Sequence, residues 1–434
     1  MTLKPLIAAT ALAAFATPAL AETVYLTADT FIDPAAGKTI RDAAFIITDG
    51  KVTARGTKAS LQAPEGADVI EFGSGSTVMP GFIDMHVHLT SDPTDGPYYS
   101  LGFSDERTVL TGAKNARLTL LAGFTTVRNV GADSYGDVAL RDAINDGDVP
   151  GPRMYVSGPP VGIVGGHCSD NNLLPEEYHS TGEGVATGPW EFRAKVRENI
   201  KYGVDMIKTC STGGVFSKGT ALGAAQGTLE ELTAAAEEAH ARGLKIASHA
   251  HGTVGIKNAI LAGIDTIEHA SILDDEAIKM AKERGVWLSM DIYNTEYTLA
   301  EGEKNGVLEE SLEKERSISK IQRDSFTRAV KAGVKMVFGS DAGVYPHGLN
   351  GNQFSRMVQF GMTPMQALQS ATVNAAEALG KAGEVGCVEV GCHADFVAVE
   401  GDPLRDSTIL ANIRFVMKDG TVYKQDGVAN GNAL

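Results

Sequence analysis

Five apolar, strand-like segments of this chain each carry, at or near their end, a side chain able to bind a metal, and they come in one order. "GFIDMHVHL" brings His86 and His88, "GVDMIKTCSTGG" contains Lys208, "LKIASHAHG" brings His249 and His251, "IDTIEHAS" contains His269, and "VKMVFGSDAG" places Asp341 after a last apolar run. A strand turns alternate side chains to one face, so His86 and His88 point together and away from Met85 and Val87. Paired neutral imidazoles suit zinc, iron or nickel, whereas calcium and magnesium prefer oxygen shells. An isolated His-X-His pair fits two core histidines equally well. Its setting at the end of the Gly- and Pro-punctuated run "VIEFGSGSTVMPGFIDMHVHL" favours a site at the C-terminal end of a strand.

Helix-like, charge-patterned stretches separate the later segments: "TLEELTAAAEEAHARG" precedes His249, "GIKNAILAG" precedes His269, and "SISKIQRDSFTRAVKAG" precedes Asp341. Alternating strand and helix is the signature of an α/β fold, and ligands at the ends of several different strands favour a (β/α)8 TIM-like barrel over a doubly wound sheet. Lys208 is the odd member, because a lysine inside an apolar strand is costly to bury unpaired. An edge-strand or surface lysine is one explanation. The other is an amine of lowered pKa that has reacted with carbon dioxide, giving a carbamate whose two oxygens can bridge two cations.

The segments "GFIDMHVHL", "LLAGFTTVRNVG", "GGHCSD", "IKTCSTGGV", "SHAHG", "TIEHAS" and "GSDAG" together resemble the amidohydrolase superfamily, in its binuclear form with a carboxylated lysine. They are similar to the branch that holds Xaa-Pro and other Xaa-amino-acid dipeptidases and ochratoxin-hydrolysing carboxypeptidases. The resemblance covers nearly all of the chain after its first two dozen residues. It implies two divalent metal ions, expected to be zinc, with carbon dioxide held as a carbamate on Lys208. His86 and His88 would hold the first ion with Asp341, Lys208 would bridge, and His249 and His269 would hold the second. A hydroxide shared by the ions would attack the scissile carbonyl, with Asp341 carrying its proton to the leaving amine. His167 and His251 are the candidates for contacting a substrate carbonyl or carboxylate, and His347 in "GVYPHG" is a weaker one. Two departures stand out: many dipeptidase relatives carry Tyr at the place of His251, and Asp at the place of Asn129 after Arg128.

The expected substrate is a small amide or dipeptide that yields a free C-terminal amino acid, and the aromatic residues Tyr98, Tyr99, Phe103, Tyr293 and Tyr297 tilt the reading towards a bulky one. A cyclic-amide hydrolase or a deaminase of the same superfamily is the alternative, although Lys208 counts against a one-metal deaminase site. A non-catalytic metal-containing binding protein is a further alternative, against which the intact ligand set counts. Relatives are often oligomers, so a homo-oligomer is expected. No G-x-S-x-G elbow appears, nor phosphate-loop or triple-glycine spacing. His179, His240 and His393 read as bystanders.

The four cysteines show no C-x-x-C spacing, which argues against a zinc ribbon or a thioredoxin-like site. Cys168 and Cys210 are expected to pack rather than react. Cys387 and Cys392, around "VEVG" in a hairpin-like stretch, would be bridged only in an oxidising compartment, and neighbouring hairpin positions often fail the geometry. The first 21 residues carry Lys4, a short Ala-rich apolar run and the small-x-small site Ala19-Leu20-Ala21, the pattern of a secretory leader cleaved after Ala21. A secreted or periplasmic protein is therefore expected. Cleavage would remove one positive charge, taking the net charge from −16 to −17. So acidic a chain argues against nucleic acid and anionic membrane surfaces as partners. The length suggests a second module beside the barrel. Residues 22–78 and 383–434 read as short strands with Asp-Gly turns, and are expected to form one small β-sandwich around a barrel of residues 79–382.

Overall fold

The computed structural model describes residues 23–168 and 172–433, so the leader expected over residues 1–21 lies outside the described residues. Two parallel sheets carry the segments singled out above. Phe82–Val87, Phe124–Asn129 and Arg153–Val156 form one, and Met206–Cys210, Lys245–Ala250, Thr266–His269, Trp287–Ser289 and Met336–Val337 form the other. Every pairing within them is parallel. Parallel bridges join the two sheets at both ends, Val161 to Thr209 on one side and Val87 to Ala342 on the other. Residues of Phe82–Val87 and Phe124–Asn129 are buried without alternation, as expected for strands covered on both faces.

Helices fill the gaps between these strands, and local chemistry sets their ends. Leu229–Ala241 starts at a capping box in which the Thr228 side chain accepts from the Glu231 amide and the Glu231 carboxylate accepts from the Thr228 amide. Gly263 and Gly285 end the helices Thr253–Ala262 and Asp275–Arg284 at φ 91° and 69°, left-handed values that let the chain turn into the next strand. No described helix is long and apolar enough to cross a membrane.

Both ends of the described chain supply a nine-stranded mixed sheet, built from Thr23–Asp33, Lys38–Thr48, Lys51–Thr57, Asp68–Phe72 and Ser76–Pro80 together with Phe396–Glu400, Phe415–Lys418, Thr421–Gln425 and Val428–Ala429. The expected sandwich is thus hydrogen-bonded as one sheet. Its own apolar core holds Phe31, Phe45, Phe396 and Phe415, with Phe45 meeting Phe31 and Phe396 edge-on at 5.1 Å. Asp49-Gly50 and Asp419-Gly420 have positive φ at both positions, as the hairpin turns require.

All four cysteines are bridged, Cys168 to Cys210 and Cys387 to Cys392. This corrects the expectation that Cys168 and Cys210 only pack and makes the Cys387–Cys392 bridge the actual state. The stretch between Cys387 and Cys392 is a turn-rich loop rather than a hairpin, which leaves the two Cα atoms 6.0 Å apart, within disulfide reach. Cys168 and Cys210 are 42 residues apart and come together only through the fold.

Phe82 and Phe124 sit opposite each other at the first positions of their strands. With Phe338 and Phe354 they form a fully buried cluster whose ring centroids are 4.5–6.3 Å apart. A strand rises about 3.3 Å per residue, so the cluster plugs the sheet about 13 Å from His86. Phe354→Ala is expected to cost about 3–5 kcal/mol in urea unfolding; a loss below about 1 kcal/mol would mean that the plug collapses around the gap and is not a fixed base for the site.

Candidate active site

The C-terminal ends of the parallel strands bring the predicted residues together. The nitrogen or oxygen donors of His86, His88 and Asp341 lie within 4.8 Å of one another, and so do those of His249, His251 and His269. A third group, His269, Asp291 and Asp341, links the first two. The rings of His86 and His269 are 5.0 Å apart, and those of His249 and His269 are 4.5 Å apart. Lys208 reaches the same interior, 2% exposed. His167 completes the ring of imidazoles, its centroid 4.0 Å from that of His249.

Hydrogen bonds fix which nitrogen of His86, His251 and His269 faces inward. Glu268 accepts from His86 Nδ1 at 2.9 Å, so Nε2 points to Asp341 Oδ1 at 3.2 Å, and His88 Nε2 lies 3.5 Å from the same oxygen. His269 Nδ1 meets Asp291 Oδ1 at 2.8 Å, and His251 Nδ1 meets Ser271 Oγ at 2.8 Å. His249 Nε2 is buried with no hydrogen-bond partner. An orphaned imidazole nitrogen inside a protein costs free energy, and a cation is the partner that such a lone pair fits. His347 differs, because Thr119 Oγ1 and the His88 carbonyl occupy its two nitrogens at 3.1 Å each, so the structure holds it as a brace. His240 and His393 pair with Asp265 and Asp419 away from the cluster, and His179 is exposed beside Glu176.

Burial sets most of the protonation states. It lowers His88 and His167 to about 3 and takes His249 and His251 well below their ordinary value, leaving neutral imidazoles fit to ligate. His86 is the exception: burial opposes its charge, but Asp341 and Glu268 push it up to about 9. A cation between His86 and Asp341 would take the place of that proton. Burial brings the Lys208 ammonium down to about 8 even though Glu268 and Asp341 pull it the other way. Among the described side chains none hydrogen-bonds the Lys208 amine.

Backbone conformation adds a second mark of a built site. His269 and Asp341 adopt φ values of 68° and 61°, a region that L-residues enter at a cost and that clusters where function demands it. At the turn into Asp341, a Cβ on Gly339 would stand 3.0 Å from His86 Cβ and overlap Ser289 Oγ, so only glycine lets the chain pass.

The residues behind the imidazoles carry no signal that assigns them from sequence alone. Glu268, fully buried, accepts from Arg128 Nη2 at 2.6 Å as well as from His86, and Arg128 also donates to the Met85 carbonyl and to Thr266 Oγ1. Asp291 accepts from Gln322 and Asn294, and Asn294 donates on to Asp341 Oδ2 at 3.2 Å. What the sequence does show is that an acid or an arginine inside an apolar run such as "DTIEHAS" or "FTTVRNV" must find a partner. Of the aromatic residues proposed to shape the pocket, Tyr99 packs on Phe103, and Tyr293 and Tyr297 pack on Tyr345.

A fold with convergent imidazoles and a buried lysine at the ends of parallel strands defines a class, and the comparisons agree. Residues 77–433 match the amidohydrolase family, and the chain belongs to it. It is a hydrolase acting on amide C–N bonds. Ochratoxinase from Aspergillus niger is 30% identical over 417 residues, covering 91% of this chain and 85% of its own length. A crystal structure of a Xaa-Pro dipeptidase with bound methionine in the active site superposes with a TM-score of 0.86 at 34% identity, covering 93% of this chain and all of that one. The crystal structure of A. niger ochratoxinase gives a TM-score of 0.84 at 28% identity, covering 94% of this chain and 97% of its own.

Burial alone would raise the Glu268 pKa, but Arg128 and His86 hold it well below its ordinary 4.5. The stability it contributes is therefore present above 4.5 and is lost as the pH falls from there through the lower folded value. Arg128→Leu should destabilise the protein by about 3–5 kcal/mol at pH 7, since it takes the guanidinium from a buried carboxylate and leaves it His86 alone. In chemical unfolding the gap from the wild type should narrow below pH 4.5; a gap that stays constant down to pH 3 would show that the arginine acts by packing alone.

Proposed function

We propose that this protein is an exported, metal-dependent amidohydrolase that releases the C-terminal amino acid from dipeptides or N-acyl amino acids, ochratoxin-like amides included. The observation that carries the reading is the convergence of His86, His88 and Asp341 with His249 and His269 around the buried amine of Lys208. Eight parallel strands would close as a (β/α)8 barrel spanning about residues 79–382, with the sheet of both termini as a second module.

The donor set fits two divalent cations, with zinc the best match to imidazole and carboxylate ligands. His86, His88 and Asp341 would hold one, and His249 and His269 the other. Lys208, brought to about 8 by burial, is a neutral enough amine to take up carbon dioxide as a bridging carbamate. When bound, the cations would polarise the scissile carbonyl and acidify water.

The chain's own groups supply the rest. Asp341 accepts the proton from the attacking water and passes it to the leaving nitrogen as the C–N bond breaks, so carboxylate and amine products form together. Asn294, on Asp341 Oδ2, keeps that carboxylate oriented while its other oxygen faces His86 and His88. With Nδ1 held at Ser271 Oγ, His251 turns Nε2 to the carbonyl or terminal carboxylate of the substrate, and the His167 ring lies 4.0 Å from that of His249. The similarity to a Xaa-Pro dipeptidase supports a free amino acid as the product. The leader-like N-terminus and two disulfides support export, because such bridges persist in oxidising compartments. A homo-oligomer is part of the same proposal.

The test is hydrolysis by the zinc-loaded mature protein of N-acyl-phenylalanine, Xaa-Pro, Xaa-Arg and a cyclic amide, with a chelated control and metal analysis. Chelator-sensitive release of a free amino acid with about two metal equivalents is the expected result. Turnover of the cyclic amide alone would move the function to ring opening. Lys208→Ala should lower turnover more than the roughly 10- to 100-fold expected of residues behind the ligands, while keeping the melting temperature of the metal-free protein. Activity retained in that variant would sink the bridging role.

A further inference from the structure

We infer that the Cys168–Cys210 disulfide is a positioning element for His167, clamping the loop that carries this imidazole to the strand that carries Lys208. The inference rests on the reading of His167 as a substrate contact.

Cys210 ends the strand Met206–Cys210 two residues after Lys208, so both side chains leave the strand on one face. Cys168 directly follows His167 and adopts a left-handed φ of 76°. His167 itself has little else to hold it. Among the described residues nothing hydrogen-bonds its ring nitrogens, and its backbone N–H donates to Gln226 Oε1 at 2.8 Å. The Gln226 backbone N–H in turn donates to the Ser211 carbonyl, next to Cys210. The covalent tie and the amide tie therefore lead to the same short segment after Lys208.

That segment also shapes the seat of the ring. Gly214 stands where any Cβ would come within 2.5 Å of His167 Cε1, so the imidazole fits between the bare backbone of Gly214 and the His249 ring at 4.0 Å. Packing against a glycine and another imidazole fixes the plane of the ring but not how far the loop advances towards the interior. The disulfide sets that advance. With both sulfurs reduced, the backbone hydrogen bond to Gln226 would be the one described tie at His167 itself, and a single hydrogen bond contributes only about 1 kcal/mol.

The test uses the zinc-loaded protein and a non-chelating phosphine, which with one water becomes the phosphine oxide as each disulfide becomes two thiols. The readouts are KM, kcat and zinc content on whichever amide the wild type hydrolyses. Losing one hydrogen bond to a substrate carboxylate should raise KM by about tenfold or more on reduction. The kcat should change by less than about threefold and the zinc content should not change. The Cys387→Ala/Cys392→Ala variant should respond as the wild type does, which assigns the effect to the other bridge. Cys168→Ala/Cys210→Ala should reproduce the reduced state, and reduction of the wild type gives the answer if that variant folds poorly. The deciding comparison is a cycle with His167→Ala, in which reduction should have no further effect on KM. A raised KM in His167→Ala with an unchanged KM on reduction would overturn the inference and leave the reading of His167 standing. Additive effects would likewise overturn it, and a silent His167→Ala would overturn both.

Discussion

One buried carboxylate, Glu268, ties the chemistry of this protein to its fold. It sits between Arg128 and His86, so it links Thr266–His269, Phe124–Asn129 and Phe82–Val87 across the interior. Burying charges is costly, and such a pair is tolerable only when its hydrogen-bonding capacity is used up. Arg128 meets that demand with the Met85 carbonyl and Thr266 Oγ1. The consequence reaches the site directly: with Nδ1 engaged by Glu268, His86 can offer only Nε2 to the interior. Asp291 does the same for His269.

Rigid supports of this kind explain how the chain keeps conformations that it would not choose locally. The left-handed φ of His269 and of Asp341 places each side chain at the mouth of its strand, and the surrounding packing holds the strained backbone in place. Below them the four-phenylalanine plug closes the other end of the strands, so packing and chemistry occupy opposite ends of one element. Strength at one end and strain at the other is the arrangement expected when a scaffold has to pre-organise a site.

The loops beyond the strands are held by different means. Cys168–Cys210 joins the loop that carries His167 to the end of the strand Met206–Cys210, and Cys387–Cys392 closes a small turn on the terminal sheet. Cross-links restrict the unfolded chain as well as the folded one, so both bridges also favour the folded state.

The order His86, His88, Lys208, His249, His269, Asp341 was legible in the sequence because each residue sits in or beside an apolar run whose neighbours specify a strand. The α/β class and the Asp-Gly hairpins were legible for the same local reason. Glu268, Arg128, Asp291 and Asn294 were not assigned, since a buried charge announces that it needs a partner without saying which one. The Cys168–Cys210 bridge, the bracing role of His347 and the seat of His167 on Gly214 depend on contacts between segments tens to hundreds of residues apart. The sequence by itself determined which side chains could act, because strand periodicity is a local property. Only the tertiary structure decided which nitrogen of His86, His251 and His269 faces inward and which cysteines meet, because those follow from the register and closure of strands that sequence spacing does not encode.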